Sequence, residues 1–179
     1  MPTQPERSLA LQRLDGVRAF SLTVSSPSIH GAIPRKQSEY ADGISPEIAW
    51  SRVEGAKSYA LILEDPDAKS PKPFVHWIAW NIPGGVTSLP EGLEDRERVP
   101  EREGLLQGKN GRGSVGYFGP RPPVGDPPHH YHFQVFALDD ELDVSAGADR
   151  DELIEAMQGH VLAAGQLVGT YQQETEPSS

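Results

Sequence analysis

The chain has 179 residues, 36% of them hydrophobic, with 18 Gly and 17 Pro, a composition that favours one loop-rich, mainly β domain over a helix bundle. A net charge of −10 argues against a nucleic-acid partner, because phosphate neutralisation needs clustered Lys and Arg, and against adsorption to an anionic bilayer. The absence of cysteine excludes disulfides, thiolate metal sites and cysteine nucleophiles.

In chain order, residues 1–16 read as an N-terminal arm with a short helical turn at Ser8–Leu14, residues 17–172 as a single domain, and residues 173–179 as a polar C-terminal tail. Ala19–Val24 alternates apolar and polar residues, as a half-buried strand does. A long loop broken by Pro27, Gly31, Pro34 and Gly43 follows. Ile48–Trp50, Ser58–Leu63 and Val75–Ile82 are the next predicted strands, the second apolar enough for a sheet centre. Residues 84–128, with the charged run Glu91–Glu103, read as loops over one face of the sheets. Tyr131–Leu138 is the clearest strand. Leu153, Ile154, Met157 and Val161 recur on one helical face, with a capping-box pattern at Asp149 and Glu152 ahead of them and Gly165 as the predicted stop. Leu167–Tyr171 reads as a last short strand. Met1–Asp15 carries no apolar stretch of the signal-peptide kind and no run reaches transmembrane length, so a cytoplasmic location without stable membrane insertion is expected.

The chemistry concentrates in two distant segments. Asp65-Pro66-Asp67-Ala68 is followed by Phe74-Val75-His76-Trp77, and Gly119-Pro120-Arg121-Pro122-Pro123 by His129-His130-Tyr131. Together they supply carboxylates, imidazoles, a phenol and stiff backbone, the inventory of a small polar pocket for an anion, without an obvious nucleophile. Strand alternation puts Phe74, His76, Ile78 and Trp80 on one face, and separates His129 and Tyr131 from His130 and His132. Local turn-capping and a pocket role both fit Asp65 and Asp67, and a core role and a ligand role both fit His76. A zinc site built on His129 or on His130 and His132 lacks an accompanying ligand motif, and neither metal nor cofactor is expected. Gly111-x-Gly113-x-x-Gly116 matches a dinucleotide pattern but leads into Tyr117-Phe118-Gly119-Pro120, which cannot open a helix. Gly104-x-x-x-Gly108-Lys109 is one residue short of a P-loop.

On these residues the chain resembles the phosphatidylethanolamine-binding proteins, in particular the bacterial branch called Raf-kinase-inhibitor-like. Matches run in order from about Phe20 to Tyr171: Asp42-Gly43-Ile44-Ser45-Pro46, Leu63-Glu64-Asp65-Pro66-Asp67-Ala68, His76-Trp77, Trp80-Asn81-Ile82-Pro83, Gly116 to Pro123, His129-His130-Tyr131 and Phe133 to Leu138. The resemblance implies a Greek-key sandwich of two sheets with one or two peripheral helices. It implies ligand-binding roles for Asp65, Asp67, Phe74, His76, Gly119, Pro120, Pro122, His129 and Tyr131, with backbone N–H groups approaching the anion at Gly119. His130 stands where the family usually has Arg, and Lys69 where Pro is common. The implied ligand is a small anion such as phosphate or phosphorylethanolamine. The function expected first is that of a binding module rather than an enzyme. Inhibition of a kinase or protease through the pocket rim, with an unnamed protein target, and weak acid–base catalysis are the alternatives. The resemblance further implies pairing as a homodimer and a pocket left open by the lack of the C-terminal helix of eukaryotic relatives.

Overall fold

A computed structural model describes residues 8–17, 21–99, 102 and 104–174. Residues 1–7 of the predicted arm, Ala19 and Phe20 of the first predicted strand, positions 100, 101 and 103 of the charged run and residues 175–179 of the tail lie outside the described residues.

The apolar rows read from the sequence assemble into two antiparallel sheets. The smaller orders β1 (Val24–Ser25), β2 (Ile48–Trp50) and β5 (Ser88–Leu89) side by side. The larger has the order β6 (Leu106–Gln107), β4 (Phe74–Pro83), β3 (Ser58–Asp65), β7 (His129–Leu138) and β8 (Val161–Tyr171). The central strand β3 is buried along its whole length. Tyr59, Leu61 and Leu63 of β3 and Phe133, Val135 and Ala137 of β7 face the smaller sheet and join Ile48, Trp50 and Leu89 in one core. The alternate residues, Ala60, Ile62, Phe136 and Leu138, face a second core covered by α1 (Ala10–Arg13) and α2 (Arg150–Met157). Each of the larger side chains among these, once withdrawn from water, stabilises the fold by about 1.5–3 kcal/mol.

Two register shifts interrupt the β3–β4 ladder. Leu63 lies opposite Trp77 and Glu64 opposite Val75, so His76 is an extra residue on β4; a second shift falls between the pairs Tyr59–Ile82 and Leu61–Ala79. These bulges overturn the expected grouping of Phe74, His76, Ile78 and Trp80. Phe74 and His76 are neighbours, with ring centroids 4.8 Å apart, but Ile78 and Trp80 point to the helix layer. The second bulge contains Asn81, whose φ of 53° suits Asn better than most side chains. Its amide acts as a surrogate strand, accepting from Leu142 N at 2.8 Å and donating to Leu142 O at 3.0 Å.

The residues read as an arm are docked from Ser8 onward. Ala10 is fully buried, and the amides of Ala10 and Leu11 donate to Glu64 Oε1 (2.6 Å) and Gln134 Oε1 (2.8 Å). Glu64 in turn forms a buried ion pair with Arg150 at 2.6 Å, and Arg150 donates to Ser8 O. At α2, Asp149 caps the amide of Glu152 as the sequence suggests. The helix stops earlier than expected, however, because Gly159 takes φ +82°; Val161 opens β8 and Gly165 lies within that strand. Among the described residues of 84–128 only β5 and β6 are regular, but the loop is tied down by Gln107, which accepts from Trp77 Nε1 (2.7 Å) and donates to Glu94 O and Arg96 O. No helix of the described residues is long and apolar enough to cross a membrane.

Candidate functional site

The C-terminal end of β3 and the N-terminal ends of β4 and β7 meet at one end of the larger sheet, because the three strands are antiparallel neighbours. Asp65 continues the inward row of β3, and His129 and Tyr131 continue that of β7. With Phe74 and His76 they line a cavity of about 270 Å³, whose walls are completed by Phe118, Pro122 and Pro123. The His76 ring stacks on Phe118 (5.8 Å, 13°) and meets Tyr131 edge-on at 5.1 Å.

Two hydrogen-bond systems organise the polar groups. His129 Nδ1 bonds Asp65 Oδ2 at 2.7 Å and its Nε2 bonds Asp126 Oδ2 at 3.0 Å. Burial alone would lower the pKa of His129, but the hydrogen bonds and negative charges of Asp65 and Asp126 outweigh it and hold the imidazole above its usual 6.5. Asp65 is pushed up by its own burial, against the pull of His129. Separately, His76 Nδ1 donates to Phe118 O at 2.6 Å, and burial pushes this imidazole down to about 4. His76 is therefore a neutral, aromatic wall element near pH 7. The Tyr131 phenol is raised by burial and by Asp65, so it stays protonated; its hydroxyl is buried with no hydrogen-bond partner.

Three expected site residues sit outside the cavity lining. Asp67 donates its amide to Asp65 Oδ1 (2.7 Å), and its Oδ2 accepts from the amide (2.7 Å) and ring (2.8 Å) of His130. It latches the turn to β7 rather than facing the pocket. Burial raises its carboxyl, but the bonds from His130 prevail and leave it below the usual range. Gly119 offers no free N–H, since its amide donates to Glu39 Oε1 at 3.0 Å; it is glycine because a Cβ there would collide with the Gln37 carbonyl. Pro120 is held from behind, its carbonyl accepting from Glu39 N at 2.9 Å. Of the Pro-rich rim, Arg121, Pro122 and Pro123 reach the cavity, and Tyr40 donates to Pro122 O.

Asp126, Phe118 and Arg112 line the cavity and were not among the expected residues. Asp126 has a readable signal, a carboxylate three residues before His129 across the stiff Pro127-Pro128 pair. Arg112 has none, lying in a glycine-rich loop; its guanidinium carbon sits 5.1 Å over the Phe118 ring. Lys69 and Arg121 join it at the mouth, and among the described residues none of these three forms an ion pair. Among the described residues no cluster of three or more His, Asp or Glu is placed to hold a metal.

A family model described as "Phosphatidylethanolamine-binding protein" matches residues 23–172. The chain belongs to the phosphatidylethanolamine-binding protein family. The chain is 43% identical to the UPF0098 protein PH1269 of Pyrococcus horikoshii over 164 residues, covering 89% of this chain and 80% of that one. Among solved structures it is similar to Escherichia coli YbcL, described as a member of the mammalian PEBP family (TM-score 0.78, 31% identity, 84% and 98% of the two chains). It is also similar to the PEBP homologue CT736 of Chlamydia trachomatis (TM-score 0.74, 35% identity, 85% and 97%). The mainly β architecture of two antiparallel sheets with few helices is shared with both. The cavity draws on four of the segments that carried the resemblance, from Asp65 to Tyr131.

Proposed function

We propose that the protein is a binding module whose cavity takes a small phosphate-like anion or phospho-headgroup, and that it is not an enzyme. The observation that carries the reading is the Tyr131 hydroxyl, buried at the cavity wall without a partner and held protonated. An orphaned buried donor costs about 1–3 kcal/mol, which a bound acceptor restores. Phosphate oxygens are such acceptors, and the unpaired cations at the mouth favour a negative ligand despite the acidic chain.

The polar groups speak for binding over turnover. Both ring nitrogens of His129 are engaged by carboxylates, so it has no free lone pair to act as a base. His76 is committed to Phe118 O through Nδ1. Among the described residues no Ser or Thr lines the cavity as a nucleophile beside either imidazole. We place the protein in the cytoplasm, which cell fractionation tests.

The deciding experiment is an NMR titration of histidine and backbone amide resonances with orthophosphate and phosphorylethanolamine at pH 6 and pH 7.5. Saturable shifts at Tyr131, His129 and Phe118, lost in Tyr131→Phe, are expected. Shifts no larger than those of a chloride control sink the reading.

A further inference from the structure

We propose that the ligand of this cavity carries two acidic groups joined by a flat apolar spacer, the first beside Tyr131 and the second held at the mouth by Lys69, Arg112 and Arg121. The proposal rests on the anion reading above and adds to it the class of molecule that fits.

The three cations come from separate parts of the chain: the β3–β4 turn, the loop 109–116 and the Pro-rich rim. All are exposed, all line the same cavity, and among the described residues none is paired with a carboxylate. The chain has 26 acidic side chains to 16 basic ones, and elsewhere Arg13, Lys36, Lys72, Arg96 and Arg150 each sit within ion-pair distance of an acid. Other described cations, Arg52, Lys57 and Lys109 among them, form no ion pair either, so what sets Lys69, Arg112 and Arg121 apart is that all three converge on one opening.

Arg112 is also mounted rather than loose. Asn110 Oδ1 accepts from the Arg112 amide (2.9 Å) and from Ser114 Oγ (3.2 Å), while Asn110 Nδ2 donates to Gly116 O at 3.0 Å. Gly111 lets the loop approach the Phe74 ring, where a Cβ would fall 2.7 Å from ring carbons. The glycine pattern that fails as a dinucleotide motif thus serves to set a guanidinium over Phe118. Guanidinium groups suit planar carboxylate and phosphate partners.

Size and lining complete the picture. A cavity of about 270 Å³ approaches the roughly 300 Å³ lower end of small-molecule sites and exceeds the needs of one phosphate group. Phe74, Phe118 and Pro122 provide the apolar walls that a flat spacer would occupy. The unpartnered Tyr131 hydroxyl independently marks the inner anchor.

The test compares orthophosphate, phenyl phosphate and 4-carboxyphenyl phosphate by calorimetry at pH 6, on the wild-type chain and on the Lys69→Gln/Arg112→Gln/Arg121→Gln variant, with folding checked by thermal melting. The added carboxylate should tighten wild-type binding about tenfold at low salt, and the preference should shrink as salt rises, because exposed charges are screened. In the triple variant the preference should fall to within about twofold. Equal affinity of the two aryl phosphates for wild type, or a preference that survives in the triple variant, overturns the proposal. Binding of orthophosphate without phenyl phosphate overturns the apolar spacer, and binding of neither removes the anion reading and this proposal with it.

Discussion

Asp126 occupies the second ring nitrogen of His129, its Oδ2 3.0 Å from Nε2, at the wall of the cavity. With Asp65 on the other nitrogen, the ring is held between two carboxylates, which raise its pKa against the effect of burial. Asp126 thus acts as a resident anion where a ligand would add another.

Removing that charge should help binding. Asp126→Asn keeps an acceptor for His129 and is expected to raise phosphate affinity at pH 6 by about tenfold, as loss of one nearby negative charge in a partly solvated site would. The same substitution lowers the pKa of His129, so the gain should narrow as pH rises. Calorimetry across pH 5.5–8 checks both.

In the unsubstituted protein, anion affinity should increase as pH falls from 8 to 5.5. Both His129 and Asp65 have raised folded pKa values, so each takes up a proton sooner than in an unfolded chain and makes the cavity more positive. His76 contributes little to this rise, since it titrates only near pH 4. A flat profile of phosphate affinity would contradict the assignment.

His76 should instead appear in stability. Its folded pKa lies below the unfolded 6.5, so its contribution is complete above pH 6.5 and lost as pH falls towards about 4. The loss amounts to about 3 kcal/mol. His76→Asn retains a donor for Phe118 O and cannot titrate; urea melts from pH 7 to pH 4.5 should show a shallower decline for the variant.

Glu64 and Arg150 present the opposite case, a fully buried pair that also holds the N-terminal segment. Glu64→Leu strands the Arg150 charge and should cost about 3–5 kcal/mol, whereas Glu64→Leu with Arg150→Met should recover much of that loss. Hydrogen exchange at Ala10 should quicken in both, because its acceptor is gone in both.

Asn81→Ala is expected to destabilise by about 2–3 kcal/mol, combining a left-handed backbone without Asn and two lost hydrogen bonds to Leu142. Asn81→Gly should cost less, since it removes the bonds but not the backbone freedom. Chemical denaturation of the two variants separates these contributions.

What was legible in the chain follows the range of the forces involved. β3 was readable because a continuous apolar run marks a strand buried on both faces, and the start of α2 because Asp149 caps locally. The phase of β4 was not, because a bulge is set by pairing with β3 and leaves no mark on local alternation. The partner of Glu64 was not legible either, because Arg150 lies 86 positions away and only the fold brings it beside the carboxylate. In the site, the shared face of His129 and Tyr131 was legible from strand parity, whereas Asp65 lies beyond the predicted end of its strand. The engagement of Gly119 by Glu39 and the arrival of Arg112 depend on loops whose course only the folded chain reveals.

The bulge at His76 has a wider implication. Val75 and Trp77 keep opposite faces and their partners Glu64 and Leu63, so the ladder on either side would alternate correctly with His76 absent. The imidazole is supernumerary to the sheet: it occupies no position that either core needs. Its ring is instead packed on Phe118 and Tyr131 and its carbonyl accepts from Phe118 N, so a change at that point would bear on the cavity wall before it bears on the strand pairing.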